Sequence, residues 1–234
     1  LVIEKPAGFI VNRADTAIGQ KTIQEWMEER SKIKNQRSKI EESDFESRAG
    51  IVHRLDKETS GLLIIAKNEK AFVELQRQFK EGLVSKVYQA LVHGPVLPVE
   101  GEINVPIGRL PWNRMRFGIL PGGRESKTHY KVLSNFDSKI DHRVEQLSLV
   151  EVYPKTGRTH QIRVHFQYLG FPLFADALYG GRKTLKRDRK ILPRHFLHAK
   201  KISFFHPESG EPVEFESGLP EDLQQLLTKL GKSS

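Results

Sequence analysis

The chain has 234 residues, enough for one large domain or two small ones. Its 38 Lys+Arg against 29 Asp+Glu leave a formal charge of +9, which favours a polyanionic partner. It has no cysteine, which excludes a disulfide framework or thiolate metal site and fits a cytoplasmic protein; no apolar run approaches a membrane span.

In chain order, residues 1–12 read as a short strand, a turn at Lys5 to Gly8 (KPAG), and an apolar stretch Phe9 to Val11. Ile23, Trp26 and Met27 fall at helical spacing and predict an amphipathic helix from Lys21 to Ile33. Residues 30–48 mix both charges with almost nothing apolar, as a solvated connector would. The next stretch, GIVHRLDKETSGLL from Gly50 to Leu63, brackets His53, Arg54, Asp56, Lys57 and Glu58 between two glycines and two apolar runs. Gly61 followed by LLIIA reads as an interior strand, so Asp56 is expected on the loop feeding it, near the core yet reachable. There, desolvation would raise a carboxylate's pKa and the neighbouring cations would lower it. On the residues alone the stretch is either a catalytic loop or a surface turn whose charges pair with one another.

Further on, Asn68 is placed to cap a helix with Phe72, Leu75 and Phe79 on one face and Gly82 as its stop. Residues 84–93 read as a strand with Tyr88 among apolar neighbours. Residues 101–124 combine glycines, prolines, Trp112, Arg109, Arg114, Arg116 and Arg124; they suit a mobile loop touching nucleic acid, or an exposed hairpin of ordinary charge. Strands follow at 126–134 and 143–153. From Lys155 to Gly170, a turn at Gly157 leads into a helix with Ile162, Phe166 and Leu169 on its apolar face, Arg163 one residue off it, and Gly170 as its stop. His160 and His165 are five apart, not the spacing of helical zinc ligands, and read as structural; no metal is assigned. Between Arg182 and Lys201 there are nine Lys/Arg and one acid, Asp188, a bias that favours phosphate contact, with Lys183, Lys186 and Lys190 as candidates on a basic loop. Strands at 197–205 and 213–215 and a helix from Pro220 with Leu223, Leu226, Leu227 and Leu230 inward complete the chain. Strands outnumber helices, so the expected fold is a single α+β domain over 1–234: a large, mainly antiparallel mixed sheet flanked by helices, its cleft lined by loops.

Four segments in this order, HRLDKETSGLL, SKVYQALV at 85–92, TGRTHQIRVHF at 156–166 and FLHAKKISFFHP at 196–207, resemble the RluA/RluD-type family of RNA pseudouridine synthases. The resemblance implies an extended bent sheet and an isomerase that acts as a monomer on ribosomal RNA or, next, transfer RNA, without cofactor or metal. It implies Asp56 as the catalytic carboxylate, Arg163 as its ion-pair partner and Tyr88 stacked on the target base. Arg54 and His53 would meet the RNA, and Ile162 would lie beneath the base; Arg114 and Arg116 are RNA-contact candidates from the composition of 101–124 instead. One departure is Ala175 before Asp176, where the family commonly has glycine; alanine preserves the turn unless that position needs a positive φ. A non-catalytic RNA-binding module is the alternative, and a glycosidase or metal nuclease would need a second carboxylate or an acidic cluster that the sequence does not offer.

Overall fold

The structure is a computed structural model that describes residues 1–13, 19–31, 43–140 and 143–232. Most of the predicted connector 30–48 therefore lies outside the described residues. The chain forms two compact units, one of Leu1–Ser85 with Lys201–Ser217 and one of Lys86–Lys200 with Gly218–Ser234.

In the first unit, β1 (Val2–Lys5) pairs antiparallel with β2 (Ser60–Ile64), Val2 opposite Ile64 and Lys5 opposite Gly61. All five residues of β2 are buried, as its unbroken apolar run requires of an interior strand. Helices α1 (Ile23–Ser31) and α2 (Asp44–Ser47) precede it. The second begins with a reciprocal cap between Ser43 and Glu46 that the charged sequence around it concealed. Helix α3 (Glu69–Glu81) starts where Asn68 accepts from Ala71 N at 2.9 Å and ends at Gly82 in the left-handed region. Its Phe72, Leu75 and Phe79 pack on Val52, Leu62, Ile64 and Phe204. The C-terminal part of β9 (Leu197–Phe205) and β10 (Pro212–Glu216) form a hairpin here, with Phe204 opposite Val213.

The second unit is built on a long antiparallel pair. Strand β7 (Lys127–Ile140) has β8 (Arg143–Pro154) on one side, and β4 (Glu100–Asn104) and β11 (Gly231–Lys232) on the other; β3 (Ser85–His93) pairs with β8. The first long strand runs on past the predicted end at 134. A bulge between Val132 and Ser134 shifts its register there and leaves Leu133 exposed. Helix α4 (Gln161–Tyr168) lays Ile162, Phe166 and Leu169 against Ala90, Val150 and Val152 of the sheet, as the spacing predicted. Helix α6 (Glu221–Lys229) buries Leu223 and Leu226 against Leu91, Leu147 and Phe174.

Of the two readings of residues 101–124 the structure has the hairpin and not the loop: after β4 come β5 (Ile107–Arg109) and β6 (Phe117–Ile119), whose Ile107, Phe117 and Ile119 pack on Val164 and Tyr179. The basic run is an expectation that needs correcting, because its first part, Arg182–Asp188, is not a loop but a helix, α5, with Asp188 buried. Among the described residues no helix is long and apolar enough to cross a membrane.

Candidate active site

Asp56 lies in the first unit on the loop between Ile51 and β2, half-buried as expected, with Arg54 exposed beside it. The loop is pinned at nearly every second residue. At its start Gly50 has φ +76°, and a Cβ there would lie 2.3 Å from the Ala66 carbonyl oxygen, so only glycine fits. His53 Nε2 accepts from Ile64 N at 2.8 Å, and its ring stacks on Phe79 with centroids 4.7 Å apart. An acceptor nitrogen carries no proton, so this bond places the ring proton on Nδ1. Leu55 is buried, and Thr59 N closes a turn onto the Asp56 carbonyl at 3.1 Å. The Lys57 carbonyl accepts from Gly8 N at 2.8 Å and from Lys5 Nζ at 3.2 Å.

Lys5 is the residue the sequence reading missed here. Its side chain is buried, and its ammonium also donates to the carbonyls of Pro6 at 2.8 Å and Phe9 at 3.0 Å. The KPAG turn is thus wound around a buried cation that holds the chain one residue beyond Asp56.

The remaining candidates lie in the second unit. Tyr88, half-buried on β3, packs on the apolar cluster that also contains Ile162. Lys86 lies two residues earlier and therefore on the same strand face; burial pulls its ammonium down to about 8. That face could have been read from the alternation in SKVYQ, but an amine titrating near neutral pH could not.

Arg163 is buried on α4 and grips Asp176 with both ends of one guanidinium edge, Nε to Oδ2 at 2.7 Å and Nη2 to Oδ1 at 2.9 Å. Asp176 Oδ1 also accepts from Leu178 N at 2.9 Å and Tyr179 N at 3.1 Å. Burial pushes this carboxyl up, but the Arg163 hydrogen bonds and charge, His195 and the Leu178 N–H outweigh it and hold it below the usual carboxylate range. Asp176 is thus a partner of Arg163 that the sequence reading did not foresee. The turn that presents it does need a positive φ at Ala175, which sits at +59°. The condition under which alanine in place of glycine matters is therefore met.

Helix α4 is itself fixed at its start. Gln161 uses its whole amide, accepting from Thr156 Oγ1 and Arg158 N and donating to the Lys127 carbonyl and Thr128 Oγ1. Both histidines of this segment are hydrogen-bonded, His165 Nδ1 to Thr128 Oγ1 at 2.8 Å and His160 Nδ1 to the Tyr179 hydroxyl at 2.9 Å. Burial drives His165 down to about 4, so it is neutral at physiological pH.

Of the hairpin arginines, Arg114 is exposed at the tip beside Trp112 and Met115, while Arg116 is half-buried with its guanidinium over the Tyr179 ring at 5.3 Å. On α5 the structure sorts the basic run. Arg187 pairs with Glu145, Arg189 donates to the Ala175 carbonyl, Arg194 pairs with Asp222, Lys200 with Glu151 and Lys201 with Glu214. Lys183, Lys186 and Lys190 are exposed. The one acid of the run, Asp188, points inward and bonds His93 Nε2 at 2.8 Å and Ala175 N at 3.1 Å. Among the described residues no group of three or more His, Asp or Glu is arranged to hold a metal ion.

A family profile described as RNA pseudouridylate synthase matches residues 1–168. The chain is 46% identical over 185 residues to an uncharacterised RNA pseudouridine synthase of Chloroflexus aurantiacus, covering 79% of this chain and 54% of that protein. It is 38% identical over 233 residues to an uncharacterised RNA pseudouridine synthase of Bacillus subtilis, covering 100% of this chain and 70% of the relative. It is 40% identical over 237 residues to ribosomal large subunit pseudouridine synthase D of Neisseria meningitidis, covering 98% and 58%. The chain thus spans between about half and 70% of these relatives. Among solved structures it is similar to human RNA pseudouridylate synthase domain containing 1, with TM-score 0.72, 27% identity, and 100% of this chain and 85% of that one covered. A second human protein, RNA pseudouridylate synthase domain containing 4, shares the fold at TM-score 0.72 and 23% identity, covering 100% and 90%.

Proposed function

Because the chain belongs to the RNA pseudouridylate synthase family, we propose that it isomerises specific uridines of structured RNA to pseudouridine, both compact units serving one catalytic domain. The observation that carries this reading is the family match over residues 1–168, which includes Asp56, Tyr88 and Arg163. Ribosomal RNA is the first candidate substrate, since a relative 40% identical over 98% of this chain is named for the large ribosomal subunit. Transfer RNA comes next.

The reaction breaks the bond between ribose C1′ and uracil N1, turns the base, forms a bond from C1′ to C5, and moves a proton from C5 to N1. It involves no net redox change, so neither a cofactor nor a metal is chemically required. Asp56 is the catalytic carboxylate, acting by attack at C1′, addition at C6 or removal of a C2′ proton. The pinning of its loop at Gly50, His53, Leu55 and Lys57 supports this role, because a reacting carboxylate must be held in one pose. Arg163, held by Asp176 along its Nε–Nη2 edge, is the proposed partner that keeps Asp56 ionised. Tyr88 stacks on the flipped base with Ile162 beneath, and Arg54, His53, Arg114, Arg116, Lys183, Lys186 and Lys190 contact the RNA.

The test is Asp56→Asn, nearly isosteric and short only of the charge and the basic oxygen. Single-turnover conversion of uridine should fall by at least about 10²-fold, the usual cost of losing an acid-base group, while RNA affinity persists or tightens. Conversion within about threefold of wild type would remove Asp56 from the mechanism. Tight binding with no conversion by the wild type, in any cellular RNA, would favour the binding module.

A further inference from the structure

Tyr179 takes no part in the chemistry above, yet the interactions of the second unit converge on it. Its side chain is buried. Two guanidinium groups lie over its one ring, that of Arg163 at 5.0 Å and that of Arg116 at 5.3 Å from the centroid. Its hydroxyl accepts from Phe117 N at 3.0 Å, on β6 of the hairpin, and lies 2.9 Å from His160 Nδ1, at the start of α4. The phenol oxygen has two lone pairs and one proton, so it bonds the Phe117 N–H and the His160 ring together. Its own backbone N–H donates to the Asp176 carboxylate that grips Arg163. The turn is tight enough to specify its last residue: a Cβ on Gly180 would lie 2.7 Å from the Asp176 carbonyl oxygen.

One turn, residues 176–180, therefore holds Arg163 twice, along its edge by the Asp176 carboxylate and over its plane by the Tyr179 ring. The same ring and hydroxyl hold the hairpin, through Arg116 and the Phe117 backbone. Arg116 Nε is buried without a hydrogen-bond acceptor among the described residues, so the aromatic face is its main compensation there. We infer that Tyr179 is a positioning residue that couples the hairpin to Arg163, so that RNA drawn onto the hairpin and the aim of Arg163 are set by one side chain. The inference rests on the proposed role of Arg163, and it deepens that role by naming what fixes the arginine.

Two variants separate the two holds. Tyr179→Phe keeps the ring over both guanidinium groups and removes the hydroxyl bonds, while Tyr179→Leu removes the ring as well. The probe is an unmodified large-subunit ribosomal RNA transcript, with affinity and saturating single-turnover rate measured separately and thermal melting recorded for each variant. Tyr179→Phe should weaken affinity by about 3- to 10-fold, the range of one lost hydrogen bond, with the saturating rate within about twofold. Tyr179→Leu should lower the saturating rate by about 10- to 100-fold, as a misaimed catalytic group does. Arg116→Gln should weaken affinity in the wild type but hardly further beside Tyr179→Leu, a non-additivity that general destabilisation does not produce.

Affinity and rate both within about twofold of wild type in Tyr179→Phe, or additive losses in the double variant, would overturn the coupling. If Tyr179→Leu does not fold, the Phe variant alone decides. The affinity arm does not involve Asp56. An active Asp56→Asn protein therefore sinks the site reading, whereas an inactive one alongside wild-type behaviour of both Tyr179 variants sinks this inference alone.

Discussion

Ala175 shows how one residue can carry opposing terms of similar size. Its φ of +59° costs a residue with a Cβ about 1–2 kcal/mol relative to glycine. Glycine would relieve that, but it loses a buried methyl worth about 0.8 kcal/mol and gains roughly 0.4–1 kcal/mol of unfolded-state freedom. Ala175→Gly should therefore change stability by less than about 1 kcal/mol in urea unfolding. Ala175→Val should cost at least about 3 kcal/mol, because a β-branched side chain adds overpacking at a fully buried position to the backbone strain. A valine variant within about 1 kcal/mol of wild type would mean that the turn presenting Asp176 yields easily. Asp176 itself is more demanding, since removing one member of a buried pair strands the other charge at a cost of about 3–5 kcal/mol.

At the scale of the element, α5 is two-sided. Asp188 and Arg187 face inward and are used by His93 and Glu145, while Lys183 and Lys186, together with Lys190 just past its end, are exposed. Replacing Lys183, Lys186 and Lys190 by Ala should leave stability within about 0.5 kcal/mol, as for ordinary surface positions. It removes at most three phosphate contacts, so the slope of log affinity against log salt should fall by up to about 2 for single-stranded-like RNA. An unchanged slope would leave α5 with a structural role only, as the carrier of Asp188. The sequence reading counted charge correctly here but could not sort it. The sign of a residue says nothing about whether a carboxylate from a distant strand, such as Glu145 for Arg187, will claim it.

For the whole molecule, two buried histidines of opposite sense set a stability maximum near neutral pH. Burial pushes the His93 imidazolium down, but the hydrogen bonds and charges of Asp188 and Glu145 prevail and raise it to about 9, while His165 is lowered to about 4 by burial. A raised histidine contributes stability that is complete below about 6.5 and is lost as pH rises through about 9; the lowered one contributes stability that is complete above about 6.5 and is lost as pH falls through about 4. Lys86 acts in the opposite sense to His93 above pH 8, so the clean alkaline window is 6.5 to 8. Across it the destabilisation caused by His93→Gln should shrink by about 2 kcal/mol, and that caused by His165→Gln should shrink by a similar amount from pH 6.5 to 5. Urea unfolding of each variant against wild type cancels the titrations that the substitution leaves unchanged. A pH-independent difference for His93→Gln would mean that His93 is neutral in its cluster.

What the sequence determined by itself was local and periodic. The Asn68 cap, the Gly82 stop, the buried strand after Gly61 and the apolar face Ile162, Phe166 and Leu169 follow from spacing and backbone preference, which neighbouring residues alone decide. The four motifs likewise identified the family before any contact was known. What only the tertiary structure decided was pairing between distant residues. That Lys5 is buried on the carbonyl of Lys57, that Asp176 grips Arg163, and that Tyr179 gathers Arg116, Arg163 and the hairpin are outcomes of packing. A charged or aromatic side chain can satisfy its hydrogen bonds and ring contacts in many ways, and the choice among them falls to the elements that the fold lays beside it.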